Sequence, residues 1–566
     1  MLSLEIIFAA VVAAVIPGGA GDPTFEDATG RSGIRFRNAC GSPENEFIFE
    51  VNGNGEARVD VDGDADLEVF FVNGARLESP TGTPPPRSEL YRNDGALRFV
   101  DVTGASGLAD SGWGCGCAAA DVDNDSDLDL YVTRWGPNAL YLNRGDGTFE
   151  RARESGAEDP GMSTSSSFGD FDGDGLVDLY VANYVELDPK TAKKRSDGTC
   201  LYKEVPVFCG PGGLRAAPDS LYINLGGGRF RDASEAWGVR EVPPAYALGT
   251  LAADVNRDGR MDVVVANDTM RNYCFLNDGG RRFQEAGVFL GLAYNDYGVA
   301  QAGMGVAAGD LRGLGRCDIF ITNFEDDTNT LHLAETGGLY SDATYAAGLG
   351  ADSYRYLGWG TFFFDAENDG DLDIFVANGH VAPQADQMRN SIGYRQKNHL
   401  YIRDGNAPGG EPRFRLCSEG CGGGLDVKKS SRGAAFGDLD GDGDPDIVVS
   451  NIDDVPTILE NTTKTANSWV AFRLRGVRSN RSAIGARAII EAGGKRQERT
   501  VQSGVSFASQ SELTLRFGLG QQDTIDHLRV EWPSGLREEF PPPAARTVTQ
   551  LVEGSGRTIA PAEQAR

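Results

Sequence analysis

Positive charge is scarce in this 566-residue chain: 53 Lys and Arg stand against 83 Asp and Glu, for a net charge of −30. No basic stripe tracks a phosphate backbone, so nucleic acid and anionic lipid are excluded as partners. Histidine is nearly absent, with only His332, His380, His399 and His527. No GxSxG, HExxH or phosphate loop appears, so nothing points to nucleophilic, zinc or nucleotide chemistry. No CxxCH and no paired CxxC occur, which removes covalent haem and structural zinc. Long apolar runs are missing too. Ile6 to Ile16 is eleven residues, too short to cross a bilayer and right for a signal-peptide core. Small residues at Gly18, Gly19 and Ala20 place cleavage near Ala20, although Met1 to Glu5 lacks Lys and Arg. Residues 1–20 are therefore expected to be a signal peptide, with no transmembrane segment after them and a secreted, periplasmic or cell-surface location.

The chain has ample means to fold: 40% hydrophobic residues and 9% aromatics, with 75 Gly against 25 Pro. Its nine Cys are an odd number. Cys200 with Cys209, and Cys417 with Cys421, are close enough for local disulfides in an oxidising compartment.

One acidic pattern recurs seven times. Its side chains fall at positions 1, 3, 5 and 9 of a loop, with Gly favoured at position 6. The copies are Asp60, Asp62, Asp64, Glu68; Asp121, Asp123, Asp125, Asp129; Asp170, Asp172, Asp174, Asp178; Asp254, Asn256, Asp258, Asp262; a degenerate fifth from Asp310 to Asp318; Asp365, Glu367, Asp369, Asp373; and Asp438, Asp440, Asp442, Asp446. The fifth has Arg312 and Leu314 where ligands belong. A spacing mostly near 50 to 60 residues marks an array of supersecondary units.

The flanks are strands. Short runs such as LDLYVT, VDLYVA and LDIFVA follow the loops, rich in Val, Ile, Phe and Tyr. A third strand begins at Leu90, Leu140, Leu221, Cys274, Leu331, Leu400 and Ile458. A fourth follows in every unit but the last. TFEDAT, Thr24 to Thr29, supplies the missing one from the other end of the chain, which describes a closed ring. The fold class is all-β: a seven-bladed β-propeller over residues 21–462, a small β domain over 463–545 and a tail over 546–566, partly unstructured after Pro541.

Oxygen ligands at alternate positions of a tight turn converge on one hard cation, and Ca²⁺ accepts six to eight oxygens. A lone DxDxDG is often only a solvated turn, but six near-complete copies in one register argue for metal. Strand flanks exclude a helix–loop–helix site. The third and seventh loops are expected to bind best, the fourth more weakly, and the fifth not at all. Ala65 and Ser126 stand where Gly is favoured, so those loops should carry strain.

These loops resemble the FG-GAP/VCBS repeats of integrin-α-type propellers, a resemblance that implies calcium held by the side chains above and a carbonyl at position 7. Tyr356 to His380 and Cys200 to Leu214 are similar to the cartilage acidic protein group. Asn467 to Trp469, the segment RSNRSAIGARAIIEAGG and HLRVEWPSG are similar to the ASPIC/UnbV domain. The implied function is a non-catalytic, calcium-binding module for an extracellular protein or glycan. The alternative is a polysaccharide lyase or hydrolase on a propeller scaffold. Residues 467 to 540 also form the most basic stretch, from Arg473 to Arg499. A mixed solvated surface is the preferred reading of it, over docking to an acidic glycan or to the acidic propeller.

Overall fold

The computed structural model describes residues 21–42, 44–77 and 84–559, and nearly all its regular structure is strand. The expected signal peptide lies outside these residues. Among the described residues, no helix is long and apolar enough to cross a membrane.

Seven four-stranded antiparallel sheets follow the repeats. Their first strands are Glu56–Val59, Trp113–Ala120, Ser163–Gly169, Ala247–Ala253, Gly303–Gly309, Gly358–Phe364 and Ser431–Gly437. Each packs on the next, and the seventh returns to the first. Second strands such as Asp178–Asn183 are buried throughout, because neighbouring sheets cover both faces. That burial explains their unbroken apolar runs. Glycine permits the close approach at the centre. A Cβ on Gly305 would collide with the carbonyl of Trp359 in the next sheet.

The N-terminal strand closes the ring. Phe25 pairs with Asn461 and Asp27 with Leu459, so the seventh sheet takes its fourth strand from residues 25–27. Deleting residues 21–30 should expose an open edge and cause aggregation. A deletion variant that stays monomeric with unchanged melting would contradict this closure.

A second device repeats around the circle. The Asn ending each third strand donates its side-chain amide to the position-2 carbonyl of the preceding loop. Asn93 reaches Leu439, Asn143 reaches Val61, Asn224 reaches Val122, Asn277 reaches Phe171 and Asn461 reaches Ala366. Where the pattern lapses, other donors take over. Tyr340 Oη donates to Val255, and Arg403 Nη1 to Leu311.

The C-terminal domain has two sheets. Ser468–Arg475 lies between Leu515–Gly520 and Val548–Val552. The other sheet runs Lys495–Thr500, Arg487–Ala492, His527–Glu531, Arg537–Phe540, Arg557–Thr558. The expected tail thus contributes two strands. Of Val548–Val552 only Leu551 is buried, so its sequence gave no alternating apolar signal.

This domain sits on the face of the ring that carries the acidic loops. Val470, Phe472 and Ile490 share one core with Phe171, Val177 and Met261 of the ring. The basic stretch is therefore not a mixed solvated surface. Its arginines face the loops. Residues 503–512 continue into the central channel and bond to the inner strands. Gln510 N donates to Glu56 O at 2.8 Å, Cys117 N to Ala508 O at 3.1 Å, Ala508 N to Ser165 Oγ at 3.0 Å and Glu512 N to Phe436 O at 3.2 Å. Val306 and Ser506 exchange backbone bonds in both directions. Ser506 Oγ accepts from Thr361 N and donates to Ala434 O.

Candidate metal centres

Every acidic loop is a hairpin connection closed at position 9. Position 9 pairs with the residue before position 1, as in Gly169 with Asp178 and Phe364 with Asp373. The position-1 carboxylate folds back over the turn. Asp170 accepts the N–H groups of Gly173, Asp174 and Gly175, and Asp365 those of Asp369 and Gly370. Position 9 has a structural task as well. One oxygen of Asp178 accepts Phe171 N–H and the other Asn224 N–H, tying the loop to the third strand. Glu68, Asp129, Asp262, Asp373 and Asp446 do the same in their own blades.

Positions 1, 3 and 9 converge. In Asp60, Asp62, Glu68; Asp121, Asp123, Asp129; Asp170, Asp172, Asp178; and Asp365, Glu367, Asp373, one oxygen of each residue lies within 4.8 Å of the others. Position 5 takes part in the turn. Asp64, Asp125, Asp174, Asp258, Asp369 and Asp442 each accept the N–H two residues ahead. One oxygen of each position-5 carboxylate thus closes an Asx turn.

A buried polar oxygen with no partner recurs at position 3. Asp62 Oδ1, Asp123 Oδ1, Asp172 Oδ1 and Glu367 Oε2 are all unbonded. Two carboxylates ~4 Å apart repel by about 4 kcal/mol at an effective dielectric near 20. Burial first, then these neighbours, push Glu68 and Asp129 up to about 8. The triad of the sixth loop is buried throughout. Burial, Asp373 and Asp365 push Glu367 up to about 11. Each cluster calls for a proton or a cation.

The degenerate fifth loop shows what fills such a place. Arg312 Nη2 donates to Asp318 Oδ1 at 2.7 Å and to Ala334 O at 2.5 Å. A guanidinium stands beside the position-9 carboxylate, and despite its burial Asp318 rises only to about 6. In the fourth loop, Asn256 turns its amide to Asp258 at 3.0 Å.

Position 6 needs a left-handed backbone, with φ of 89° at Gly175 and 92° at Gly370. Ala65 and Ser126 adopt φ of 83° and 89°. Replacing either with Gly should stabilise the protein by about 1 kcal/mol in chemical denaturation. No gain from either replacement would show the strain to be relieved elsewhere.

A separate polar cluster occupies the opposite face. Lys203, at the tip of the hairpin closed by the Cys200–Cys209 disulfide, lies 3.0 Å from Glu325 and 2.8 Å from Asp326. His380 Nε2 lies 3.1 Å from Glu325, while its Nδ1 accepts Ala382 N–H. Glu325 is buried, which opposes ionisation, yet His380 and Lys203 hold it down at about 2 against an ordinary 4.5. The stabilisation is complete above pH 4.5 and is lost as the pH falls toward 2. Glu325→Gln should flatten the stability profile across that window. An unchanged acid-unfolding midpoint would refute the coupling. His332 and His399 are buried, which lowers them to about 4 and 3.

The family models match these same segments. One described as FG-GAP-like repeat covers residues 60–132, 121–181, 207–265 and 254–321, and one described as ASPIC and UnbV covers 476–558. Cartilage acidic protein 1 of Mus musculus is 24% identical over 505 residues, 86% of this chain and 62% of that protein. The Homo sapiens protein is 22% identical over 501 residues, 86% of this chain and 60% of its own length. The chain therefore spans about three fifths of these curated relatives. Among solved structures, an Agrocybe aegerita lectin that recognises non-reducing terminal N-acetylglucosamine aligns at TM-score 0.38 and 15% identity, over 67% of this chain and 88% of the lectin. YCF48 bound to a D1 peptide aligns at TM-score 0.40 and 9% identity, over 80% of this chain and 99% of that one.

Proposed function

We propose that this chain, an FG-GAP-like repeat propeller with an ASPIC and UnbV domain, is a calcium-loaded, non-catalytic binding module for an extracellular protein or glycan. The observation that carries the cation is the unpartnered position-3 oxygen in blades one, two, three and six, set against blade five, where position 3 is Arg312 and its guanidinium pairs with the position-9 carboxylate of Asp318. Asp60, Asp62 and Glu68, with their counterparts in the other three blades, would hold the ion. A bound divalent cation neutralises the crowded carboxylates and joins the start of each loop to its second strand. Oxygen-only ligands favour calcium over softer metals.

Export is supported by two disulfides, Cys200–Cys209 and Cys417–Cys421, and by relatives named for cartilage. A binding role without catalysis fits the histidines: three of the four are buried, and His380 is bonded through both ring nitrogens. The C-terminal domain covers the acidic face and enters the channel. That leaves the opposite face and the outer rim for a ligand.

Elemental analysis after dialysis against millimolar calcium should find the metal, and glycan and protein arrays should find the ligand. Protein free of calcium would overturn the cation reading. Depolymerisation of a polysaccharide by the purified chain would overturn the non-catalytic one and favour the lyase or hydrolase.

A further inference from the structure

Seven loops share one design, but the C-terminal domain treats them unequally. In blade four, Arg487 Nη1 lies 3.3 Å from Asp254 Oδ2. In blade five, Arg496 Nη1 lies 3.2 Å from Asp310 Oδ2 and 3.1 Å from Gly313 O. In blade seven, Arg516 Nη1 lies 3.3 Å from Asp438 Oδ2. All three target carboxylates are at position 1. Each arginine is also held from behind by a glutamate of its own domain: Arg487 by Glu531, Arg496 by Glu498 and Arg516 by Glu512. Arg516 is further placed over the Trp469 ring, with its side chain mostly buried.

Blades one, two, three and six lack this arrangement. Arg473 approaches Asp60 only to 3.8 Å, gives its hydrogen bond to Ala65 O and has no acidic partner in its own domain among the described residues. Arg475 reaches only the Ser126 hydroxyl. Arg281, a largely exposed propeller residue, meets Asp172 through Oδ2 and leaves Oδ1 unbonded. Lys495 pairs with Asp371, outside the converging triad. Arg499 donates to Glu498 O and Gln497 Oε1, and makes no ion pair with Asp365 within 4.0 Å among the described residues. Among the described residues, the unpartnered buried position-3 oxygens fall in these same four blades and in no other.

We propose that the C-terminal domain is a tethered counter-cation for blades four, five and seven, so that divalent cations enter only blades one, two, three and six. This deepens the calcium reading and rests on it. A guanidinium fixed at position 1 repels an incoming divalent ion and occupies a carboxylate that would bind it. Blade seven is the decisive case, since Asp438, Asp440, Asp442 and Asp446 are all present. Its ligand set is intact, and it differs in Arg516 beside Asp438 and in an Asp440 oxygen that accepts Asp442 N–H.

The test is the number of calcium ions per full-length chain, by equilibrium dialysis and elemental analysis. The wild type should hold four. Arg516→Gln should hold five, because blade seven is released. Arg496→Gln should stay at four, because Arg312 still occupies blade five. In the otherwise unaltered protein, Asp172→Asn should lower the count to three and Asp440→Asn should leave it at four. These last two variants decide the matter if Arg516→Gln does not fold. A wild-type count of five, lowered by Asp440→Asn, would overturn the proposal while leaving the calcium reading intact. So would Arg516→Gln folding normally and remaining at four. A wild-type count of zero would overturn both.

Discussion

Chelation should lower the melting temperature of the full-length protein by on the order of 10 °C, and added calcium should restore it. One ion that binds only the folded state contributes about 2.7 kcal/mol at a hundredfold excess over its Kd. Four sites acting together approach about 10 kcal/mol, and a chain of this size shifts by a few degrees or less per kcal/mol. The sixth loop gives the sharpest form of this result. Asp365, Glu367 and Asp373 are all buried, unlike the triads of blades one, two and three, and burial pushes Asp365 well above the usual carboxylate range. Glu367→Gln removes one ligand and, in chelator, the cost of keeping a crowded carboxyl protonated. In chelator the variant should melt at or above the wild type, and in calcium it should melt below it. Differential scanning calorimetry in both buffers checks the crossing. If the two proteins keep the same order in both buffers, the loop is an acidic turn and no more.

Ending the chain after Thr463 should abolish the stable monomer. The truncation strips Val470, Phe472 and Ile490 from a core that Phe171 and Met261 complete from the ring side. It also withdraws residues 503–512 from the channel, where Phe507 meets the Trp359 ring at 4.7 Å between centroids. Inner-strand groups such as Glu56 O, Cys117 N and Ala434 O lose their partners, each at a cost of about 1–3 kcal/mol if no water replaces them. The milder Phe507→Ala should cost about 3–5 kcal/mol. The intact chain should therefore unfold in one calorimetric transition, and the truncated one should aggregate. Two separate transitions, or a truncated chain that melts unchanged, would refute the single cooperative unit.

The ring was legible because its signals are local and repeated. Short β-branched runs, a Gly-rich turn and a fixed register of carboxylates specify the same hairpin each time. Position 9 lies among the converging side chains in four blades, and its carboxylate also bonds two backbone N–H groups, a task that spacing did not reveal. Spacing did not reveal that one oxygen of the position-5 carboxylate closes an Asx turn. The docking of the basic domain was illegible. Arg487, Arg496 and Arg516 lie about 80 to 230 residues beyond their partners Asp254, Asp310 and Asp438, and no local pattern joins them. That distance also hid why Asp438 to Asp446, complete in sequence, meets a guanidinium.

The pairing of Phe25 with Asn461 sets a clock on biosynthesis. The strand made first must wait for the strand made more than 400 residues later. At about 5–20 residues per second, that wait lasts between roughly 20 and 90 s. Throughout it the growing ring is an open arc with a free edge at its newest blade. The channel stays vacant longer still, until residues 503–512 emerge. Slowing elongation within the last two blades should raise the yield of misassembled chains, whereas the same pause after residue 540 should not.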